Sequence, residues 1–260
     1  MRKLIFLVLL IFTSNVFAIF SDFDNFFNKY VDENGFVNYK NIDREDIDLL
    51  LNKITKIDDF STWSENEKLS FWINTYNFLA ITIVYENYPI KSNFLKSIIY
   101  PKNSIRQING AFDGIKYNVL GNMMTLDDIE HNTIRKNFNE PRIHFALVCA
   151  AYSCPKLLNH AYFPDNLDLL LEEQAKHFFS SKKHFYLENN KVYISKILDW
   201  YGEDFINKYY DENNFKWLSK KDNSIINFAK NYVDNEIKDF LLNNKYSIEY
   251  IPYNWELNEK

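Results

Sequence analysis

Two cysteines, Cys149 and Cys154, are the only ones in this chain of 260 residues. They fall in a stretch from Asp127 to Pro155 that also holds His131, His144, Asp128 and Glu130. A thiol attacks as its thiolate, and a histidine with a third group to orient it is the common way to make one. Cys154 lies in the loop Ala150-Ala151-Tyr152-Ser153-Cys154-Pro155, and loops held by a rigid scaffold often carry reactive groups. Cys154 with His131 or His144, and with Glu130 or Asn74, is therefore a candidate catalytic set for acyl chemistry. Arg142, Trp72 and Tyr76 are candidates for holding its substrate.

The same residue types also support simpler roles. Glu130 could form a buried ion pair with Arg142 or a hydrogen bond to His144, because a buried carboxylate must be paired or neutral. Cys149 and Cys154 could close a disulfide that pins the loop. Their separation is not that of a Cys-x-x-Cys redox pair, and so short a closed loop stabilises only modestly. A zinc site from His131, His144, a cysteine and Glu130 lacks any standard ligand spacing, so no metal or other cofactor is expected. His160, His177 and His184 stand in unrelated contexts.

Several elements must position these groups. Ile47, Leu50, Leu51, Ile54 and Ile57 recur at helical spacing. Ser64 with Glu67 reads as a capping box that opens a second helix, apolar all round and hence buried, with Asn74 and Asn77 on one side. Asp113-Gly114 reads as a hairpin turn. Thr125 with Asp128 caps a helix from Leu126 to about Asn137, with Glu130 facing inward and His131 nearer the surface. After Pro141, Arg142 to Cys149 reads as a central strand whose alternation points His144 and Cys149 apart. A helix on Leu167, Leu170, Leu171, Ala175 and Phe178, a hairpin about Asn189-Asn190, two more helical stretches and a strand near Tyr246 to Ile251 complete the chain. This irregular order predicts an α+β single domain over residues 19–260, with a central antiparallel or mixed sheet packed by several helices.

Arg2 and Lys3, the apolar run Leu4 to Phe12, and the small residues Val16 and Ala18 make residues 1–18 a signal peptide by pattern. The expected location is the periplasm or the exterior, with no stable membrane span after cleavage, and that setting favours a disulfide. A formal charge of -5 gives no overall attraction to nucleic acid or anionic membrane. The aromatic stretches Trp200-Tyr201-Gly202-Glu203-Asp204-Phe205 and Ile251-Pro252-Tyr253-Asn254-Trp255 could line a ligand groove or seal the core.

Those two stretches, together with Lys68 to Asn77, Leu126-Asp127-Asp128-Ile129-Glu130-His131 and Arg142 to Pro155, resemble the bacterial family catalogued as domain of unknown function 547. Val148 stands where that family has Asn before the first cysteine. Many family members look exported, in keeping with the N-terminal pattern. At fold level the resemblance leaves room for a distant papain- or transglutaminase-like arrangement, a buried helix followed by a strand bearing His144. Asn74 would then stand where those enzymes carry their cysteine, and the site would either be rebuilt around Cys154 or lack a nucleophile. The expected function is a thiol- and histidine-dependent hydrolase or acyl transferase acting on a peptide or cell-envelope component. The alternative is a non-catalytic binding module with a Glu/Arg/His network and a Cys149–Cys154 disulfide.

Overall fold

Helix Glu65–Glu86 organises the chain. Its start is fixed by the Ser64 side chain, which accepts from the Glu67 N–H, and by the Glu67 carboxylate, which accepts from the Ser64 N–H. Every residue from Leu69 to Val84 is buried. A computed structural model describes residues 17–260, and the proposed signal peptide lies almost wholly outside the described residues. A helix over residues 17–30 lays Phe23 and Phe26 against Phe78, with ring centroids 6.1 and 5.1 Å apart. Helix Arg44–Thr55 buries Ile47, Leu50 and Ile54 against the same core.

A second apolar cluster surrounds a small mixed sheet. Strands β3 (Phe185–Glu188) and β4 (Lys191–Ser195) are antiparallel, and β5 (Ser247–Ile251) pairs parallel to β4. Asn189 and Asn190 both take positive φ, as a tight two-residue hairpin loop requires. Helices Leu167–Ser180 and Lys220–Ala229 pack on this sheet through Phe178, Phe179 and Phe228. Phe145 sits among them, with centroids 4.6 Å from Phe178 and 5.8 Å from Phe228. The fold is thus α+β, with helices predominating over two small sheets among the described residues.

Two elements differ from the sequence reading. The hairpin of β1 (Tyr117–Val119) and β2 (Asn122–Met124) turns at Leu120-Gly121, where φ is 52° and 79°, and not at Asp113-Gly114. The earlier pair instead closes a compact turn in which the Gly114 and Ile115 amides both donate to the Gly110 carbonyl. The expected strand Arg142 to Cys149 is a 3₁₀ helix, Pro141–Phe145, followed by irregular chain. Pro141 brings a φ suited to a first helical turn, and the Glu140 carboxylate accepts from the Arg142 amide. A short apolar run fits a buried strand and a buried non-strand segment equally well by pattern.

The irregular segment keeps its backbone groups satisfied through side chains instead of a neighbouring strand. Asn77 Nδ2 donates to the Ala146 carbonyl at 2.9 Å, and its Oδ1 accepts from the Val148 amide at 2.8 Å. Gln174 Nε2 donates to the Phe145 carbonyl at 3.0 Å. Asn77→Ala would leave two buried backbone groups unpaired, at a cost of about 2–5 kcal/mol in total. Thermal denaturation should show Tm lower by roughly 5–15 °C; a drop under about 2 °C would mean that the backbone finds other partners.

His184 is buried and stacks on Phe178 with centroids 4.1 Å apart, and neither ring nitrogen has a partner. Burial, aided by the nearby Lys183, pushes its pKa down to about 2. The unfolded chain therefore takes up a proton near pH 6.5 that the folded chain refuses, so stability is lost as pH falls below that value. His184→Phe should remove about 2 kcal/mol of the stability difference between pH 7 and pH 5. Urea titrations at the two pH values measure this, and parallel losses in parent and variant would refute it.

Candidate active site

Between the two apolar clusters lies a cavity of about 580 Å³. Its polar wall is formed by Glu130, His144, Cys149 and Cys154, and its aromatic wall by Trp200, Tyr201, Tyr253 and Trp255. Tyr76, from the buried helix, closes one side. Arg106 faces the cavity from an aromatic stack, its guanidinium 4.9, 5.2 and 5.4 Å from the rings of Tyr100, Trp255 and Phe112.

The cysteine loop is held in a fixed shape. Ala150 takes φ of 59°, a left-handed conformation that reverses the chain between the two cysteines. The C-terminal segment then runs alongside: the Tyr152 and Ser153 amides donate to the carbonyls of Glu256 and Asn254, and Ser153 Oγ accepts from the Asn254 amide. This stitching delivers Tyr253 to the sulfurs. Its hydroxyl is 3.1 Å from Cys154 Sγ and 3.5 Å from Cys149 Sγ. The two sulfurs are 3.0 Å apart, well beyond a bond of about 2.05 Å, so both cysteines are free thiols.

The pair is electrostatically uneven. Burial pushes the Cys154 thiol up, but hydrogen bonds from Cys149, Tyr253 and the adjacent backbone outweigh it and hold the thiol below its ordinary value. The Cys149 amide contributes one of these, donating to Cys154 Sγ at 3.2 Å. Cys149 is pushed well up, first by its hydrogen bond to Cys154 and then by burial. Burial and the neighbouring thiols likewise keep the Tyr253 hydroxyl protonated. Lys183 adds positive charge nearby, its ammonium donating to the carbonyls of Tyr152 and Cys154 at 2.9 and 3.0 Å. Cys154 is therefore the sulfur that gives up its proton, with Cys149 and Tyr253 as donors to it.

His144 reaches the same cavity because the 3₁₀ turn and the irregular chain after it abolish strand alternation; the expected divergence of His144 from Cys149 does not occur. Its Nε2 lies 2.8 Å from Asp204 Oδ2, and its ring stacks on Tyr201 at 4.3 Å. A carboxylate only accepts, so Nε2 carries the proton of this bond and Nδ1 is the nitrogen not engaged by Asp204. Burial raises the Asp204 pKa, yet Arg135 and His144 hold it well below the usual carboxylate range. Arg135 binds Asp204 through two nitrogens, at 2.7 and 2.8 Å, and also donates to His131 Nδ1 at 3.1 Å. Gly202 permits this arrangement by letting the turn before Asp204 press against Ile225 and Lys221, where a Cβ would come within 2.7 and 2.8 Å.

Glu130 sits on a π-helical stretch, Asp128–Ile134, whose start is fixed by mutual hydrogen bonds between Thr125 and Asp128. Such stretches are uncommon and frequent at functional sites. The carboxylate is buried on the cavity wall, forms no ion pair among the described residues, and raises the pKa values of the Tyr76 and Tyr201 hydroxyls along with their burial. It pairs with neither Arg142 nor His144.

Other sequence candidates lie elsewhere. Asn74 is buried and holds the Tyr162 backbone, donating to its carbonyl at 2.8 Å and accepting from its amide at 2.9 Å. Arg142 is engaged by Glu140, Asp168 and Glu172 outside the cavity. Trp72 packs against Phe60 and Phe71. His131 lies behind Arg135, half-exposed. Asp204 and Tyr253 fall inside the two aromatic stretches, and their polar roles are not legible in the sequence because their partners lie 60 and 99 residues away. Among the described residues no cluster of His, Cys, Asp and Glu is arranged to hold a metal ion. No helix among them is long and apolar enough to cross a membrane.

No curated protein and no solved structure matches the chain. Residues 60–179, which carry the buried helix, the π-helical stretch, His144 and both cysteines, match the family model described as "Protein of unknown function, DUF547".

Proposed function

We propose that the cavity is a thiol-dependent acyl-transfer site that acts on a peptide or another acylated component of the cell envelope, the N-terminal sequence pattern indicating export. The observation that carries this reading is the placement of Cys154 Sγ, which has the Cys149 amide, the Cys149 thiol and the Tyr253 hydroxyl as donors, on the same cavity as the His144–Asp204 pair. The thiolate attacks the acyl carbon, the carbon–heteroatom bond of the tetrahedral adduct breaks, and a thioester on Cys154 remains. The departing amine or alkoxide takes the proton that Cys154 released, held in the interim on His144 Nδ1 or Glu130. Water, deprotonated by His144 Nδ1 or by Glu130, then attacks the thioester and returns the thiolate. Asp204 fixes the histidine tautomer, and a cavity of about 580 Å³ suits a segment of a few residues.

Iodoacetamide tests the nucleophile directly. Cys154 should be carboxamidomethylated at pH 7 faster than Cys149, as read by peptide mass mapping. Tyr253→Phe, which removes one donor, should slow that reaction about 3- to 10-fold and shift its pH profile upward. Equal labelling of the two cysteines, or a profile that Tyr253→Phe leaves in place, would sink the reading.

The 3.0 Å sulfur separation favours a second reading in one respect, since the thiols need to move only about 1 Å to bond. An exported protein meets disulfide oxidants, and the cavity would then be a binding site with its thiolate removed. On attack by the Cys154 thiolate, an oxidant disulfide loses one thiol to form a mixed disulfide. Cys149 then displaces the second thiol and closes the intramolecular bond. Under oxidised glutathione the protein should lose both titratable thiols together, with a mass 2 Da lower, and dithiothreitol should restore them. Stable adducts of glutathione at either cysteine, without closure, would rule out this exchange.

A further inference from the structure

Away from the catalytic groups, the segment 94–99 presents Phe94, Leu95, Ile98 and Ile99 to solvent at 83, 70, 72 and 76 % exposure. These exceed every other exposed large apolar side chain among the described residues, the next being Leu169 at 59 %. Scattered apolar residues are ordinary on a surface, but four adjacent ones form a patch that needs an explanation.

The patch is built and not frayed. Asn93 accepts from the Leu95 and Lys96 amides through Oδ1 and from the Ser97 amide through its carbonyl. Buried Gln107 accepts from the Asn93 amide at 2.9 Å and donates to the Pro101 carbonyl at 2.9 Å, clamping both ends of the loop from beneath. The apolar side chains are thus directed outward by hydrogen bonds on their inner side.

Charge around the patch is opposite to that of the whole chain. Residues 87–112 contain Lys91, Lys96, Lys102 and Arg106 and no Asp or Glu, in a protein of formal charge -5. Glu259, which reaches this region from the C-terminal segment, is engaged by Asn103 and Tyr88. Lys91 and Lys102 are exposed, whereas Lys96 turns its ammonium onto the Gln107 and Ile108 carbonyls and Arg106 stays in its aromatic stack. Apolar side chains beside exposed lysines match the boundary of a bilayer with anionic headgroups, where acyl chains take the first and phosphates the second. An overall negative charge does not oppose this, because surface charges act only within about a Debye length of roughly 8–10 Å.

We propose that segment 94–99 docks the protein on an anionic lipid surface. Lys96 and Tyr100, on the same loop, also line the large cavity, so docking would bring the cavity mouth to the membrane face. The inference does not depend on the acyl-transfer reading.

Vesicle co-sedimentation of the full chain tests it, comparing the parent with a Phe94→Glu/Ile98→Glu double variant so that all other segments contribute equally. With vesicles of equal parts phosphatidylglycerol and phosphatidylcholine, the parent should partition at least 10-fold more strongly than the variant. It should also bind them more strongly than pure phosphatidylcholine, with the preference fading in 0.5 M NaCl. Circular dichroism and the iodoacetamide rate at Cys154 should match in parent and variant, showing that the fold is kept. Equal partitioning of parent and variant, or no preference for phosphatidylglycerol, would overturn the proposal. A concentration-dependent dimer of the parent that the variant loses, without a change in vesicle binding, would assign the patch to a second copy of the chain instead.

Discussion

A buried stretch of chain that is neither helix nor strand must find partners for its backbone N–H and C=O groups elsewhere, and here they come from side chains on helices. Asn77 and Asn74 lie three residues apart on helix Glu65–Glu86, yet serve different segments. Asn77 holds Ala146 and Val148, and Asn74 holds Tyr162. Gln174, from helix Leu167–Ser180, holds Phe145 and Lys156. These bonds fix both ends of the segment that carries His144 and the cysteines. An amide side chain can supply a donor and an acceptor at once, which is the geometry a peptide unit needs and which no apolar residue could replace. The helix is buried on all sides, and at these two points its sequence encodes a second element's position as well as its own burial.

The charged groups around the cavity divide into two kinds. Arg135 and Asp204 neutralise one another, with His144 and His131 attached at either end, so the histidine in the cavity is oriented by a fully satisfied partner. Glu130, on the same cavity, lacks a cationic partner among the described residues and has two phenols beside it. An unpaired carboxylate costs free energy when buried, and a stretch whose only task was stability would have little use for one. The π-helical geometry beneath it is a similar departure from the most stable local arrangement.

Local signals were legible where the physics is local. The Ser64–Glu67 box, the Thr125–Asp128 cap and the Asn189-Asn190 turn each depend on contacts within four residues, and each stands where the sequence places it. The inward face of Glu130 followed from helical spacing even though the turn is wider than an α-helix. What could not be read was decided by long-range partners. The apolar run from Phe145 to Val148 carries the same pattern whether its backbone is satisfied by a strand or by Asn77 and Gln174. Asp113-Gly114 has the composition of a hairpin turn, but Gly121 is followed at once by a segment able to pair with β1. The group that orients His144 is not a sequence neighbour but Asp204, in a turn brought close by the Phe205 contact with Phe145.

The relation between the two thiols follows from their burial. A lone thiol in an apolar pocket holds its proton more tightly, so burial by itself makes cysteine inert. The C-terminal segment changes that by bringing the Tyr253 hydroxyl to a sulfur already facing the Cys149 amide and thiol. The donors are neutral, so they stabilise a thiolate without the desolvation cost of a second buried charge. Lys183 keeps its ammonium on the carbonyls of the loop, where it raises the local potential while leaving the sulfur free of a direct ion pair. Both cysteines are needed for this arrangement, since Cys149 keeps its own proton in order to donate toward Cys154. A second thiol therefore has a role in the reduced protein that a disulfide would end, and the same closeness that activates Cys154 makes it open to oxidation.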